Sequence, residues 1–421
     1  MAFFATIIQS SSAVSVILAL SYSLYAIKFW PRIPFPANPP ESESEDLPTM
    51  ALVIPTWNES PIIESKLDDI ASQNYPPEKI KVIVIDAASQ DGTIEKVESW
   101  WEKNSASSPF EFEIIREEER KGKSVSINLA FENAKQSYEV MTMSDVDCRL
   151  DPGSLVRLGK WFLDPTIGAV TGRQRLVIIG ESIETQNEKA YRSFYRKLRT
   201  SETHLDSTAM FDGGLSAYRS SCLVDFSLVE DANSDDSQMA VAVRRTGMKS
   251  IYDDNLVFIE MAANDSQSLD VQKVRRSQGI IRHFFRSRDI LWDSNFNDFR
   301  KVIFLGIVLH ILLPWFVALG FLSGLSSMIH VVPNLVTGES QTNDFHDLVI
   351  MFIIIDLIVI ILLFSGRFNL RIPFGRLAFS FLTYQVILLK AQILIGRGRS
   401  LHRWEQVKSV RESLQIYDEQ N

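Results

Sequence analysis

Long apolar runs at both ends of the chain, separated by a charged middle, most constrain what this sequence can fold into. The run from Phe3 to Ile27 carries no charge, and a transmembrane helix needs roughly 20 predominantly apolar residues. Two later runs, Phe304 to Ile329 and Leu348 to Phe364, are strong candidates of the same kind. The sequence therefore predicts an integral membrane protein with a polar domain between its membrane segments.

Cations beside the apolar runs predict on which side of the membrane the middle of the chain lies. Lys28 and Arg32 follow the first run, and the positive-inside rule then places the next segment in the cytoplasm. We expect a protein of the plasma membrane whose middle domain is cytosolic. A further apolar run, Leu377 to Ile395, is interrupted by Lys390 and by glutamines, so a spanning arrangement and a re-entrant or interfacial one both remain open.

The composition argues against two other classes of protein. The formal net charge is −9, whereas proteins that bind nucleic acid through its phosphates usually present a basic face. The cysteines, Cys148 and Cys222, lie far apart and outside any CxxC or Cys/His spacing. Neither a disulfide framework nor a zinc site is therefore predicted.

Strand and helix patterns alternate after a proline-rich and then acidic stretch that ends near Pro48. The runs MALVIP, KVIVIDA, FEFEII and EVMTMSDVD have the length and composition of strands, and stretches of helical spacing separate them. This order predicts a mainly parallel sheet with helices on its faces. Ligands bind such sheets at the carboxyl ends of the strands, so the polar residues after each run are candidate site residues.

The stretch DAASQDGT follows KVIVI without a break and contains two aspartates. Asp86, at the end of the predicted strand, can accept hydrogen bonds from a base or a ribose, and Gly92 permits a tight turn into the next helix. Asp91 either belongs to the same site or only caps that helix. The motif alone does not decide between these two roles.

A pair of carboxylates ends the next predicted strand. In SDVD, Asp145 and Asp147 alternate with Val146, which points both side chains to the same side. Mg²⁺ and Mn²⁺ take one or two protein carboxylates and complete their coordination with substrate phosphates. A solvated acidic loop is the alternative, and the position at a strand end favours the metal site.

Two further polar clusters are candidates for catalysis and for phosphate binding. The stretch EDANSDDSQ contains Asp235 and Asp236 just before a helix, where carboxylates serve either as a general base or only as partners of the helix dipole. In VQKVRRSQG, Gln272, Arg275 and Arg276 precede a predicted interfacial helix. Guanidinium groups bind a diphosphate, but juxtamembrane arginines also bind lipid headgroups.

Taken together, these motifs resemble those of the family 2 inverting membrane glycosyltransferases, which carry a nucleotide-sugar-binding GT-A domain. The stretch VIPTWNE is similar to the family's VIPxYNE, DAASQDGT to DxSxDGT, KGKSVSINLA to GKxxALN, and SDVD to the metal-binding DxD. The resemblance implies that the donor is bound by the following residues: Pro55, Thr56, Glu59, Asp86, Lys123, Asp145, Gln272, Arg275 and Arg276. It also implies a Mg²⁺ or Mn²⁺ ion on Asp145 and Asp147.

The stretch SDDSQMAVAVRRTGMKSIYDD resembles the family's TEDTDLSLRLxxxGYRxxYxP. On that alignment Asp236 is the general base, and Asp235 replaces the usual glutamate. Processive members of the family carry QxxRW, but this chain has Arg276 where the tryptophan stands. The departure favours transfer of a single sugar to a lipid or lipid-linked acceptor, such as a polyprenyl phosphate, over synthesis of a polymer.

The expected architecture is an α/β GT-A domain with a mixed, mainly parallel sheet and helices on both faces, joined to transmembrane helices. We predict six segments: an N-terminal anchor (1–30), a solvated linker (31–48), a cytosolic GT-A catalytic domain (49–265), amphipathic interface helices (266–300), a C-terminal membrane region (301–397) and a polar tail (398–421). A processive polysaccharide synthase and a noncatalytic nucleotide-sugar-binding scaffold on a membrane anchor remain the alternative functions.

Overall fold

The computed structural model describes residues 2–106, 110–177, 183–230, 233–261, 266–337, 344–368, 370, 372, 375–400 and 408–420. The strands are β1 (Met50–Thr56), β2 (Ile80–Asp86), β3 (Glu111–Arg116), β4 (Val140–Met143), β5 (Cys148–Leu150), β6 (Ile167–Val177), β7 (Ser216–Arg219) and β8 (Lys249–Met261). The helices are α1 (Ala2–Phe29), α2 (Ile63–Ala71), α3 (Thr93–Asn104), α4 (Lys123–Ala134), α5 (Ser154–Trp161), α6 (Ile183–Leu205), α7 (Asp235–Arg245), α8 (Ser266–Arg286), α9 (Phe299–Ile307), α10 (Leu313–Thr337), α11 (Asp344–Arg367), α12 (Gly375–Gly396) and α13 (Lys408–Gln420).

The strands form one mixed sheet in the order β3-β2-β1-β4-β7-β6-β8-β5. The first four strands in this order are parallel, β7 runs antiparallel to both of its neighbours, and β6 and β8 are parallel again. The short strand β5 closes the edge as an antiparallel partner of β8. The predicted sheet type is therefore confirmed, with the antiparallel strands confined to the second half of the domain.

Helices cover both faces of the sheet because its central strands are apolar on both sides. Strand β1 is buried along its whole length. Leu52 and Ile54 belong to a core cluster that also contains side chains of α2, α3, α5 and α13. Ala51 and Val53 belong to a second cluster on the opposite face, with side chains of α4 and α7. This alternation fixes which strand ends face the same cavity.

Four helical segments are long and apolar enough to cross a membrane, by length and composition, in the part of the chain that is described. They are Phe4–Arg32, Phe299–Ser326, Val349–Arg367 and Gly375–Gly396. The last one covers the run that the sequence left undecided. Its polar Gln392 faces neighbouring helices: it donates to the carbonyls of His310 and Ile311 at 3.3 and 3.2 Å and accepts from Trp315 Nε1 at 2.8 Å.

The proline-rich stretch after α1 differs from the solvated linker that the sequence predicts. Phe35 stacks on Trp161 with ring centroids 5.8 Å apart, and Leu47 is buried in the first core cluster. Arg157 of α5 donates to the carbonyl of Ala37 at 3.3 Å. Most residues of the stretch 31–48 are nevertheless exposed, so the solvated linker stays a prediction, with single apolar residues inserted between helices.

Two further boundaries differ from the sequence-based expectation. Strand β4 ends at Met143, so Asp145 and Asp147 lie in the turn between β4 and β5 rather than on the strand itself. Arg275 and Arg276 lie within the 21-residue helix α8, not before it. The local pattern therefore predicted the wrong element for both polar clusters: the acids lie in a turn, and the arginines lie inside a helix.

Candidate active site

A cavity of about 530 Å³ opens beside the end of β4 and extends toward α6, α8 and α12. Most of the predicted site residues line it: Lys123, Asp145, Asp147, Asp235, Asp236, Gln272, Arg275 and Arg276. They come from four separate stretches of sequence, which the sheet order and the packing of α8 bring together. The predicted residues Pro55, Thr56, Glu59 and Asp86 lie at the adjacent ends of β1 and β2.

The ends of β1 and β2 form a tightly bonded edge beside the cavity. Thr56 Oγ1 donates to the carbonyl of Ile85 at 3.0 Å, and the carboxylate of Asp86 accepts from the backbone N–H of Ser89 at 2.9 Å. Thr56 and Asp86 are both buried. Asp91 accepts from the N–H groups of Ser60 and Thr93 at 3.0 and 3.1 Å, so it ties two loops and the start of α3 together.

Glu59 has an internal partner that the sequence did not predict. Its side chain is fully enclosed, and Arg411 of the C-terminal helix α13 contacts both carboxylate oxygens, at 3.0 Å through Nε and 2.5 Å through Nη2. An arginine thus occupies both carboxylate oxygens of Glu59, and its placement beside the nucleotide stays a prediction. No local pattern could have indicated a partner 352 positions away.

Lys123 begins α4 and holds one oxygen of Asp145. The Nζ–Oδ1 distance is 2.5 Å. Burial opposes the charge of the lysine, but Asp145 and Asp235 outweigh it and raise the pKa of Lys123. Gly122 before it has a φ of 117°, a conformation that only glycine adopts readily, and this turns the chain sharply into the helix. The ammonium group is thus fixed beside the carboxylate.

Two carboxylates, Asp145 and Asp147, lie in the turn between β4 and β5 beside the cavity. Asp145 gives Oδ1 to Lys123, and its Oδ2 faces the backbone of Gly213, where an added Cβ would lie 3.2 Å away. Asp147 receives Arg411 Nη1 at 3.2 Å on Oδ2. The described residues contain no group of three or more acids, histidines or cysteines arranged for a metal. Two carboxylates suffice when substrate phosphates complete the coordination of Mg²⁺ or Mn²⁺.

Asp235 and Asp236 begin α7 at the wall of the cavity. Ser234 before them has a φ of 69°, a left-handed conformation that is uncommon outside glycine and concentrates at functional sites. Asp235 accepts a hydrogen bond from Ser124 of α4. Burial, the nearby Asp212 and Asp235 raise the pKa of Asp236 to about 7. A carboxylate with this pKa is suited to accept a proton near neutral pH.

The predicted phosphate-binding arginines lie against a buried acid. Arg276 Nη2 is 3.7 Å from Glu260, whose pKa burial raises to about 7 against the opposing effect of Arg276. Burial and the neighbouring Arg276 lower the pKa of Arg275 to about 10. Two neighbouring guanidinium groups in a partly enclosed cavity repel each other, and an anionic ligand that binds both would offset this repulsion.

Several residues of the cavity were missed at the sequence level. They are Arg173 and Arg175 of β6, Arg192, Arg196 and Arg199 of α6, Asp212, Glu260 and Tyr384 of α12. Arg199 pairs with Asp212, and Arg196 with Asp254. These residues sit in stretches whose pattern indicates only a strand or an amphipathic helix. The arginine-rich composition of the two stretches was the one available signal.

Comparison with known sequences gives a consistent family. Residues 51–225 match the model of glycosyl transferase family 2. The chain is 24% identical over 252 residues to a poly-beta-1,6-N-acetyl-D-glucosamine synthase of Staphylococcus aureus, covering 58% of this chain and 59% of that one. It is 32% identical over 102 residues to glycosyltransferase AglE of Haloferax volcanii, covering 24% and 31%. The chain thus matches about three fifths or less of the length of these relatives.

The fold has a solved counterpart that extends over almost the whole chain. A mannosyltransferase from Pyrobaculum calidifontis, solved in complex with GDP-Man and Mn²⁺, superposes with a TM-score of 0.71 at 24% identity. The match covers 93% of this chain and 98% of that one. The predicted GT-A architecture is thereby confirmed.

Proposed function

We propose that this chain, whose residues 51–225 match the model of glycosyl transferase family 2, moves a sugar from a nucleotide-diphosphate sugar to a lipid acceptor at the cytosolic face of the plasma membrane. The observation that supports a lipid acceptor is that one cavity extends from the acidic residues to an apolar helix. The same cavity contacts Asp145 and Asp236 at one side and Tyr384 of α12 at another. Because α12 is long and apolar enough to span a bilayer, a membrane lipid can enter the site from that side.

The donor end of the cavity is assigned to the acids and cations around β4. Asp145 and Asp147 would hold a Mg²⁺ or Mn²⁺ ion, which when bound neutralises the departing diphosphate. Lys123 and Arg275 bind the same diphosphate as fixed cations, because both lie in the cavity beside these acids. Thr56 and Asp86 form the edge against which the nucleoside rests, with Pro55 in the strand beneath it.

The acceptor end is assigned to Asp236 and the arginines of β6 and α6. Where the acceptor attacks through a hydroxyl group, Asp236 accepts its proton; a phosphate oxygen attacks already ionised, and Asp236 then matters less as a base. Inversion at the sugar carbon is the stereochemistry implied by the family resemblance. The buried Nε of Arg173 has no hydrogen-bond partner within the described residues. A buried donor without a partner costs free energy until a ligand satisfies it. An anionic headgroup, such as that of a polyprenyl phosphate, satisfies it.

A processive polysaccharide synthase is the second candidate, since the relative from Staphylococcus aureus carries that name. Processive members of the family carry tryptophan at the position of Arg276. In this chain Arg276 forms an ion pair with Glu260. This ion pair offers charge at the cavity wall, where an aromatic side chain would offer a surface for a sugar chain. We therefore favour the transfer of one sugar.

The test is transfer from radiolabelled donors by the full chain in membranes, with and without Mn²⁺ or Mg²⁺, followed by organic extraction. UDP-N-acetylglucosamine and GDP-mannose head the panel, because the named relatives point to these two sugars. We expect metal-dependent label in the lipid phase, bearing one sugar per acceptor. Label in a long water-soluble polymer would favour the synthase, and no transfer from any donor would contradict the proposal.

A further inference from the structure

The C-terminal helix α13 packs directly behind the turn that carries Asp145 and Asp147. Val410 and Leu414 are buried in the same core cluster as α2 and β5. Gln415 Nε2 donates to the carbonyl of Pro61 at 3.0 Å, just before α2. A segment expected to be a polar tail is therefore an integral part of the domain, docked on the side of the sheet opposite to α4.

Arg411 of this helix connects two carboxylates that stand at the ends of different strands. Its fork binds Glu59 after β1 through Nε and Nη2, and its Nη1 lies 3.2 Å from Oδ2 of Asp147. The side chains of Arg411 and Glu59 are 6% and 0% exposed, whereas that of Asp147 is 20% exposed. The buried Glu59 anchors the guanidinium group, and the remaining nitrogen meets the carboxylate nearest to the cavity.

A second pair of opposite direction joins the same turn to the same helix. Arg149, two residues after Asp147, binds Asp418 of α13 through Nε at 3.1 Å and Nη2 at 2.8 Å. Arg149 also donates to the carbonyl of Val146 at 2.9 Å within the turn. Arg411 of the helix thus binds Asp147 of the turn, and Arg149, just after the turn, binds Asp418 of the helix. These two ion pairs attach the turn to α13.

The geometry points to a positioning role for α13, and we propose that Arg411 holds Asp147 in the orientation that binds the divalent cation while the Arg149–Asp418 pair fixes the turn. The inference rests on the proposed metal site. Contact on Oδ2 leaves Oδ1 of Asp147 for the ion. A hard cation such as Mg²⁺ demands near-ideal geometry, and partners of metal ligands typically change metal affinity by roughly 10- to 100-fold when removed.

Two other roles of Arg411 have distinct consequences. If it only neutralises the buried Glu59, replacement of both residues by neutral ones of similar shape restores normal metal binding. If it competes with the ion for Asp147, its removal tightens metal binding, because a positive charge beside the site is lost. Positioning predicts weaker metal binding when both residues are replaced, so weaker, unchanged or tighter binding in that double variant separates the three roles.

The experiment measures Mn²⁺ affinity of the full chain in detergent by electron paramagnetic resonance, in the presence of UDP or GDP and without any sugar. The variants are Arg411→Lys, which keeps the charge but loses the fork, Asp418→Asn, which weakens the second pair, and the double variant Glu59→Gln with Arg411→Met. Glu412→Gln, exposed on the same helix, is the matched control. Thermal unfolding without metal is recorded for each.

We expect the dissociation constant of Mn²⁺ to rise about tenfold in Arg411→Lys and in the double variant, to rise to a smaller extent in Asp418→Asn, and to stay unchanged in Glu412→Gln. A broadened Mn²⁺ spectrum in Arg411→Lys would support the role further. Wild-type or tighter Mn²⁺ affinity in the double variant, or unchanged affinity in Arg411→Lys, would overturn it. Absence of Mn²⁺ binding by the wild-type chain would instead overturn the metal site of the proposed function.

Discussion

At the scale of single residues, the cavity combines carboxylates with different environments. Asp147 faces cations, and its pKa is lowered because Arg411 and Lys123 outweigh the opposing effect of burial. Burial and the nearby acids Asp212 and Asp235 raise the pKa of Asp236 to about 7. Environments that separate the pKa values of nearby acids assign them different tasks. The pattern supports a charge-holding role for the first and proton transfer for the second.

Replacement of Asp236 by Asn is expected to reduce transfer by about 10²- to 10⁴-fold, the range of a general base, while nucleotide affinity measured by calorimetry stays unchanged. The exposed Asp225 lies outside the cavity, and Asp225→Asn is the control. A loss smaller than about tenfold would contradict the assignment of Asp236 as an essential base and would indicate an acceptor oxygen that is already ionised.

The pKa of Asp236 also predicts two effects of pH with opposite signs. Transfer requires the ionised form, so its rate should fall as pH drops below about 7. A carboxyl whose pKa rises from 3.8 on folding binds its proton more tightly in the folded chain, so its ionisation between about pH 4 and 7 lowers the free energy of unfolding. Asp236→Asn should therefore raise the melting temperature at pH 8 and not at pH 4. Equal shifts at both values would contradict this.

Gly213 allows the closest approach to the predicted metal turn. An added Cβ would lie 3.2 Å from Oδ2 of Asp145 and 3.5 Å from Nζ of Lys123. We expect Gly213→Ala to weaken donor binding severalfold by displacing this pair. Gly396→Ala is the control, because its Cβ would meet nothing within 4 Å. Calorimetry with the nucleotide diphosphate measures the effect, and unchanged affinity would place the donor elsewhere in the cavity.

At the scale of elements, α2 supports the turn between β4 and β5, which carries Asp145 and Asp147, through a buried lysine. Lys66 is fully enclosed, donates to Ser144 Oγ at 2.8 Å and to the carbonyl of Cys148 at 3.0 Å, and lies 3.6 Å from Asp69. These bonds join the helix to both ends of the turn between β4 and β5. The turn is thus held by α2 from beneath and by α13 from behind.

Replacement of Lys66 should lower the free energy of unfolding, because its bonds to the turn between β4 and β5 are lost. Lys66→Met removes one partner of a buried ion pair, and we expect a loss of about 3 kcal/mol in the free energy of unfolding. Lys96→Met is the comparison: Lys96 lies 3.6 Å from Glu64 with both side chains more than two fifths exposed, and such pairs contribute about 1 kcal/mol or less. Denaturant titration in detergent measures both variants. Equal losses in the free energy of unfolding would show that Lys66 contributes no more to stability than an exposed lysine.

At the scale of the whole molecule, the apolar helices and the sheet domain share one packed region. Tyr195 and Leu198 of α6 lie in a core cluster with side chains of α1, α8, α9 and α10. Many apolar side chains of α11 between residues 349 and 367 are exposed, including Ile354, Ile358 and Ile361. An exposed apolar surface of this extent requires a lipid environment or a partner.

The chain should therefore behave as an integral membrane protein on fractionation. We expect it to remain in the membrane pellet after washes with high salt and with alkaline carbonate, because hydrophobic burial in lipid is not screened by ions, and to be released by detergent. Release by salt alone would instead indicate attachment through charged surface residues, and would contradict the spanning arrangement of the four apolar helices.

Much of the site was predictable because it lies at the strand ends of an alternating α/β pattern. Lys123, Asp145, Asp147, Asp235 and Asp236 share one cavity, as the motifs predicted. The partners of these groups were not predictable, since the packing of distant elements alone brings Ser124 to Asp235 and places Tyr384 in the same cavity as Asp145. Asp91 was left between two roles by its motif, and its backbone contacts decide for the structural one.

The sequence by itself determined the class of sheet, the apolar helices and the positions of the acids, because hydrophobic periodicity and strand-end chemistry are local properties. Only the tertiary structure decided that Glu59 is enclosed by Arg411, that the C-terminal segment packs behind the metal turn, and that α12 meets the cavity. The physical reason is that a buried charge requires an opposite charge nearby, and which side chain supplies it depends on how the whole chain packs, not on the residues beside it in sequence.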